Sequence, residues 1–144
     1  MDELNYLQLV TNLCETIYVT LGVSHSECVY QKALIIELYN HGAISVEFEK
    51  HVPVFYHDSK GSQHTIGSER IDILARFPDN IIVLMELKAQ AGSLREHVEI
   101  SQLKKYVKSL KHIGIVPTIS ILVNFPQNSK NETDIEIVSL HSLK

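Results

Sequence analysis

The sequence predicts an α/β fold in which helices flank a mixed central β-sheet. Three observations carry this reading. Two helix-period segments come first, a run of β-rich segments follows, and a third helix-period segment separates that run from one or two further strands. A helix placed between two strands in this way is a crossover, which is right-handed and packs on one face of the sheet.

The first helix spans about residues 3 to 20, where Leu4, Leu7, Val10, Cys14, Ile17 and Leu21 recur at helical spacing before the stop at Gly22. A second begins near Ser24 or Ser26, carries Val29, Tyr30, Ala33, Leu34 and Leu38, and ends near Asn40-His41-Gly42. Ser24-His-Ser-Glu27 fits a capping box, which by itself gives Glu27 a structural role. Residues 44 to 56 alternate as a strand, and Pro53 marks it as an edge strand or a bulge. After the turn Asp58-Ser-Lys-Gly61-Ser, an extended segment runs through Ile66 toward Arg70. Ala91-Gly-Ser93 breaks the pattern after Lys88, and Ser93 or a neighbour is expected to cap the next helix, about 95 to 112. That helix turns Ile100, Leu103, Val107 and Leu110 to a core, with Gln102 and Tyr106 stacked on one side. Gly114 and Pro117 end it. A buried-looking strand, 118 to 125, and a last strand, 134 to 140, follow.

The centre of the chain is a β-hairpin, Arg70–Phe77 and Ile81–Lys88 around Pro78-Asp79-Asn80. A three-residue loop, a type I turn with Asn80 left-handed, pairs Phe77 with Ile81 and sets Asp72 opposite Glu86. Period-two alternation then puts Asp72, Glu86 and Lys88 on one face, and Ile71, Ile73, Ala75, Val83, Met85 and Leu87 on the other. Two carboxylates facing each other across a sheet cost up to about 1 kcal/mol unless a cation sits between them. Carboxylate oxygens suit hard cations such as Mg²⁺ or Mn²⁺. Lys88, about 7 Å further along the strand, is placed to neutralise charge on a phosphate or to act on a metal-activated water.

Composition fits one domain over residues 1–144: 44% of residues are hydrophobic and 21% charged, and no apolar run is long enough to span a membrane. The acidic start Met1-Asp2-Glu3 lacks the order of a secretory signal, which leads to an intracellular expectation, cytoplasm or nucleus. Cys14 and Cys28 are expected as unpaired, small core residues, and Asn131-Glu-Thr133 as a chance glycosylation pattern. The eight histidines make no zinc pattern, and His51, His57 and His64 are expected at the surface. A net charge of −4 does not advertise nucleic-acid binding, yet Lys104, Lys105, Lys108, Lys111 and His112 cluster within nine residues.

These residues resemble the PD-(D/E)XK nuclease superfamily, and within it the GxxExxY family, over about residues 21–125. The resemblance is carried by Leu21-Gly22, Glu27-Cys-Val-Tyr30, Ala33-Leu34 with Glu37-Leu38, Gly42, Val52-Pro53-Val54 with Tyr56, and Ile71-Asp72-Ile-Leu. It continues through Glu86-Leu-Lys88-Ala89, Gln102-Leu103 with Tyr106, and Leu122-Val-Asn124-Phe125. It implies a restriction-endonuclease-like core and metal-dependent hydrolysis of phosphodiester bonds, with DNA as the expected partner. Asp72 and Glu86 would be the metal carboxylates, with the Leu87 backbone carbonyl as third ligand. Lys88 would be the catalytic lysine, Gln102 would orient substrate or water, and Glu27 would complete the active face. On the reading of a nuclease acting on DNA, the clustered Lys104, Lys105, Lys108 and Lys111, with Tyr106, would flank the cleft and contact nucleic acid; the alternative for the stripe is a solvated helix face. The family's glycine three residues before Glu27 is Ser24 here, and the usually apolar residues after it are His25 and Ser26. A single small acidic domain has few groups to hold a duplex, so a homodimer or protein partner would supply more. The alternative is a nucleic-acid-binding or scaffolding protein that keeps the fold without cleaving.

Overall fold

The computed structural model describes residues 3–127 and 134–141. In chain order it contains α1 (Glu3–Leu21), α2 (Glu27–Asn40), β1 (Ser45–His57), β2 (Gln63–Phe77), β3 (Ile81–Lys88), α3 (Glu96–His112), β4 (Ile119–Asn124) and β5 (Glu136–His141). The strands form one sheet in the order β1-β2-β3-β4-β5. Neighbours are antiparallel except β3 and β4, which are parallel and joined through α3. The fold is therefore the expected α/β arrangement with a mixed sheet. No helix among the described residues is long and apolar enough to cross a membrane. The sequon Asn131-Glu-Thr133 lies outside the described residues.

Helices α1 and α2 bury their apolar stripes on one face of the sheet, where Val10, Cys14, Ile17, Tyr30, Leu34 and Leu38 meet Ile73, Met85, Leu87, Ile121 and Val123. Helix α3 covers the other face, where Tyr106 and Leu110 pack on Val52, Ile71, Leu74 and Leu84. All six residues of β4 are buried. A strand covered on both faces carries an unbroken apolar run, and that run is what made β4 visible in the sequence.

Three local features depart from expectation. The hairpin has the expected Phe77↔Ile81 pairing, but both Asp79 (φ 66°) and Asn80 (φ 61°) are left-handed. Asp and Asn tolerate that region because their short polar side chains bond locally. Neither expected helix cap forms. The N-caps are Ser26 and Arg95, neither makes a side-chain capping bond, and Ser24 is left-handed with φ 70°.

The third departure concerns the face of Ile71. The β1–β2 ladder passes from Phe48↔Ile73 to Lys50↔Ile71 and leaves Glu49 and Asp72 unpaired, with Glu49 at φ 51°. Before this break Val46 and Ile73 face α1 and α2; beyond it Val52 and Ile71 face α3. An even spacing keeps residues on one face of a regular strand, so both strands turn over at this point. Ile71 therefore does not share the face of Ile73 as alternation predicts. Pro53 sits where its missing N–H is tolerated, on edge strand β1, one residue before the register shift between Val54 and Phe55.

Candidate active site

The turnover positions the site. The β2–β3 ladder ends at Ile73↔Met85, and the next opposed residues are Asp72 and Glu86. In place of a ladder bond, the Leu87 N–H donates to Asp72 Oδ2 at 2.8 Å. On the helical side, Gln31 Nε2 donates to the Asp72 carbonyl oxygen at 2.9 Å. Asp72 is thus held through both its side chain and its main chain at the point where the strands part. Both carboxylates are buried, at 7% exposure each.

Glu86 is the most perturbed acid of the site. Burial, and next the adjacent Asp72 carboxylate, push its pKa up to about 9, while a hydrogen bond from Tyr106 pulls it down and Glu27 adds a smaller upward push. Its Oε2 has no hydrogen-bond partner. Tyr106 is itself buried, and its hydroxyl accepts from Gln102 Nε2 at 3.0 Å. Burial is the main cause that raises Tyr106 to about 12; the Gln102 bond opposes it and Glu86 reinforces it.

Lys88 lies two residues along β3. Its Nζ is 3.1 Å from Oε2 of Glu99, which α3 supplies and which is only 4% exposed. The pair is a charge contact without hydrogen-bond alignment. Glu27, the first residue of α2, is exposed at the mouth. Burial of its carboxyl and then Asp72 raise its pKa, opposed by the Ala89 N–H, Lys88 and Arg70.

The contacts of Tyr30 explain why Glu27 stands there. Tyr30 donates its hydroxyl to the Gly22 carbonyl at 2.6 Å and stacks on Phe125 with centroids 4.3 Å apart. Gln127 donates to the same hydroxyl at 3.0 Å and accepts from the Ser24 N–H at 2.7 Å. These contacts tie the turn before α2 to the residues after β4, and so fix the start of the helix beside Asp72.

On the α2 side, Glu27, Gln31, Glu49, Arg70, Asp72 and Leu87 line a cleft of about 480 Å³. Glu86 adjoins Asp72 and is met by Tyr106 from α3, with Gln102 bonded to the Tyr106 hydroxyl and Lys88 drawn to Glu99 of the same helix. Among the described residues, no three His, Cys, Asp or Glu side chains close tightly enough to hold a metal ion unaided. One or two carboxylates are what a protein usually supplies to Mg²⁺, with water and substrate oxygens completing the shell. A buried carboxyl with an unpartnered oxygen beside a second carboxylate is chemistry that a divalent cation neutralises, so the donor set fits one.

The basic stripe lines a cleft of its own. Lys104, Lys105, Lys108 and Lys111 are exposed, but Lys105 pairs with Glu69 at 2.7 Å, and the other three line a separate cleft with no residue in common with the acidic one. The reason is helical geometry: Lys104 stands about 200° around α3 from Gln102. Tyr106, turned inward to Glu86, does not present its ring on that basic face. Sequence reasoning gave no role to Glu99, Arg70 or Gln31. Glu99 precedes Gln102 by three and was findable as a same-face helical neighbour.

The family model of the PD-(D/E)XK nuclease superfamily matches residues 5–136. The chain belongs to that superfamily. Its nucleases generally use divalent metals, and their fold implies a nucleic-acid substrate. Among solved structures, that of SSO0001 matches with a TM-score of 0.51 at 17% identity, covering 96% of this chain and 59% of that one. This likeness concerns the fold, and the present chain spans less than two thirds of SSO0001. The search of curated proteins gives no match.

Proposed function

We propose that the chain, working as a single domain, is a divalent-metal-dependent nuclease of the GxxExxY group that hydrolyses phosphodiester bonds in DNA. The observation that carries this is Glu86, buried against Asp72 with a free oxygen and a pKa raised to about 9. A fold that needed only a stable sheet would fill this position with an apolar residue. Tyr30 and Gly22 support the finer family reading, because the motif residues make the turn that presents Glu27. Ser24, at φ 70°, occupies a conformation that favours the family's glycine.

Asp72, Glu86 and the Leu87 carbonyl would hold Mg²⁺ or Mn²⁺. When bound, the cation supplies Lewis-acid polarisation of a phosphate and a lowered pKa for water. Lys88, restrained by Glu99, places an ammonium where negative charge builds on the phosphate. Glu27, exposed at the mouth with a raised pKa, orients the attacking water and exchanges its proton. Gln102 holds the Tyr106 hydroxyl, which in turn donates to Glu86 and keeps that carboxyl aimed at Asp72. Arg70 lines the cleft and attracts the phosphate backbone.

Calorimetric titration with Mn²⁺ tests the reading. Binding that Asp72→Ala or Glu86→Ala abolishes is the expected result. Absence of binding at millimolar Mn²⁺ would overturn the enzymatic reading in favour of a scaffold that keeps the fold.

A further inference from the structure

A second cleft lies on the far side of α3. Lys104, Val107, Lys108 and Lys111 form one stripe on α3, at spacings of three and four residues, and Val116 and Leu140 complete the apolar floor of a cavity of about 340 Å³. Among the described residues none of these three lysines has a carboxylate in ion-pair range, whereas Lys105 on the adjoining face does. Val116 is 54% exposed, and Val107 and Leu140 are half-buried. An apolar floor thus lies open under three ammonium groups with no carboxylate partner among the described residues, on a chain whose net charge is −4.

The two halves of this surface ask for different things from one ligand. Lysines can grip a phosphate backbone as readily as they meet carboxylates, but a phosphate backbone brings nothing to desolvate the apolar floor. An acidic peptide with an apolar anchor satisfies both, burying the anchor against Val107, Val116 and Leu140 while its carboxylates meet the lysines. Lys104 and Lys111 are about 10 Å apart along the helix, which about three residues of extended chain span. The geometry points to a docking site for an acidic, apolar-anchored segment of a partner protein, separate from the acidic cleft at Asp72. The site does not depend on nuclease activity.

The test uses the full chain and fluorescence anisotropy with a labelled short peptide of alternating aspartates and leucines. Controls are the same peptide with serine in place of leucine, and a labelled short DNA duplex. The leucine peptide is expected to bind, to weaken about tenfold or more with Lys108→Glu/Lys111→Glu, and to weaken similarly with Leu140→Ser. These changes are expected to leave the circular-dichroism spectrum and a cooperative thermal unfolding transition in place, which shows that the variants fold. Equal binding of the serine peptide, or no effect of the lysine reversals, would overturn the proposal. Loss of duplex binding with no peptide binding would make the cleft a nucleic-acid surface instead. Self-association removed by the lysine reversals would place a second copy of this chain in it; either result refutes the partner-peptide assignment.

Discussion

Replacing Glu86 by Gln gives the sharpest physical test of the site. In the metal-free protein the carboxyl ionises at about 9 instead of its ordinary 4.5, so between these values the folded state holds a proton that the unfolded chain releases. Stability must therefore fall as pH rises through that window. At neutral pH the linkage spans about two and a half pH units, a ceiling of about 3 kcal/mol at about 1.4 kcal/mol per unit. Relaxation and water entry at the mouth of the site leave an expected penalty of about 1–3 kcal/mol. Gln has the same shape, carries no charge, and offers its amide to Asp72. In EDTA, Glu86→Gln should melt several degrees above the wild type at neutral pH and match it near about pH 4.5. Saturating Mn²⁺ should reverse the order, because only the wild type gains binding energy. Thermal unfolding across pH, with and without metal, reads both effects. Melting curves that stay parallel from about pH 5 to 8 in EDTA would refute the reasoning, since the linkage term requires them to diverge.

Other predictions concern the surroundings of the carboxylates. Ser24→Gly removes a left-handed serine and keeps the N–H bond to Gln127, so it should stabilise by about 0.5–1 kcal/mol in denaturant titration; a lower midpoint would contradict the assigned turn. Gln31→Leu leaves the Asp72 carbonyl unpaired and should cost about 1–3 kcal/mol, whereas a neutral result would show the bond to be dispensable. Glu99→Gln should lower kcat about 10–100-fold with Mn²⁺ affinity unchanged, and an unaltered kcat would remove Glu99 from the account. Cys28, expected in the core, is exposed instead, so a thiol reagent should modify it in the native protein and modify Cys14 only after denaturation, because Cys14 is buried and burial pushes its thiol up.

Much of the architecture was legible because it rests on periodicity. The apolar stripes of α1 and α3 and the apolar, buried runs of β3 and β4 each state their environment directly, and Pro78-Asp79-Asn80 sets the register that opposes Asp72 to Glu86. The face of Ile71 was not legible. Its side is decided by the turnover at Glu49 and Asp72, and glutamate carries no preference for the positive φ found at Glu49. Helix α2 starts after Ser26, one of the two positions expected, but the capping box at Ser24 does not form, because tertiary contacts, chiefly Tyr30 with Gly22 and Gln127 with Ser24, fix the turn before the helix. The separation of the lysine stripe from the acidic cleft was recoverable from the angle between Gln102 and Lys104 on α3. The contact of Lys88 with Glu99 needed the crossover helix to be docked on the sheet, which spacing within either element does not reveal.

The most direct measurement of the central claim is cleavage. Supercoiled plasmid, linear duplex and single-stranded DNA are incubated with the protein in Mg²⁺ or Mn²⁺, beside a Glu86→Ala/Lys88→Ala control. The account predicts strand cutting that requires the metal and disappears in the control, with the cut form identifying the substrate. Binding of DNA by both proteins without cutting, under either metal, would contradict it.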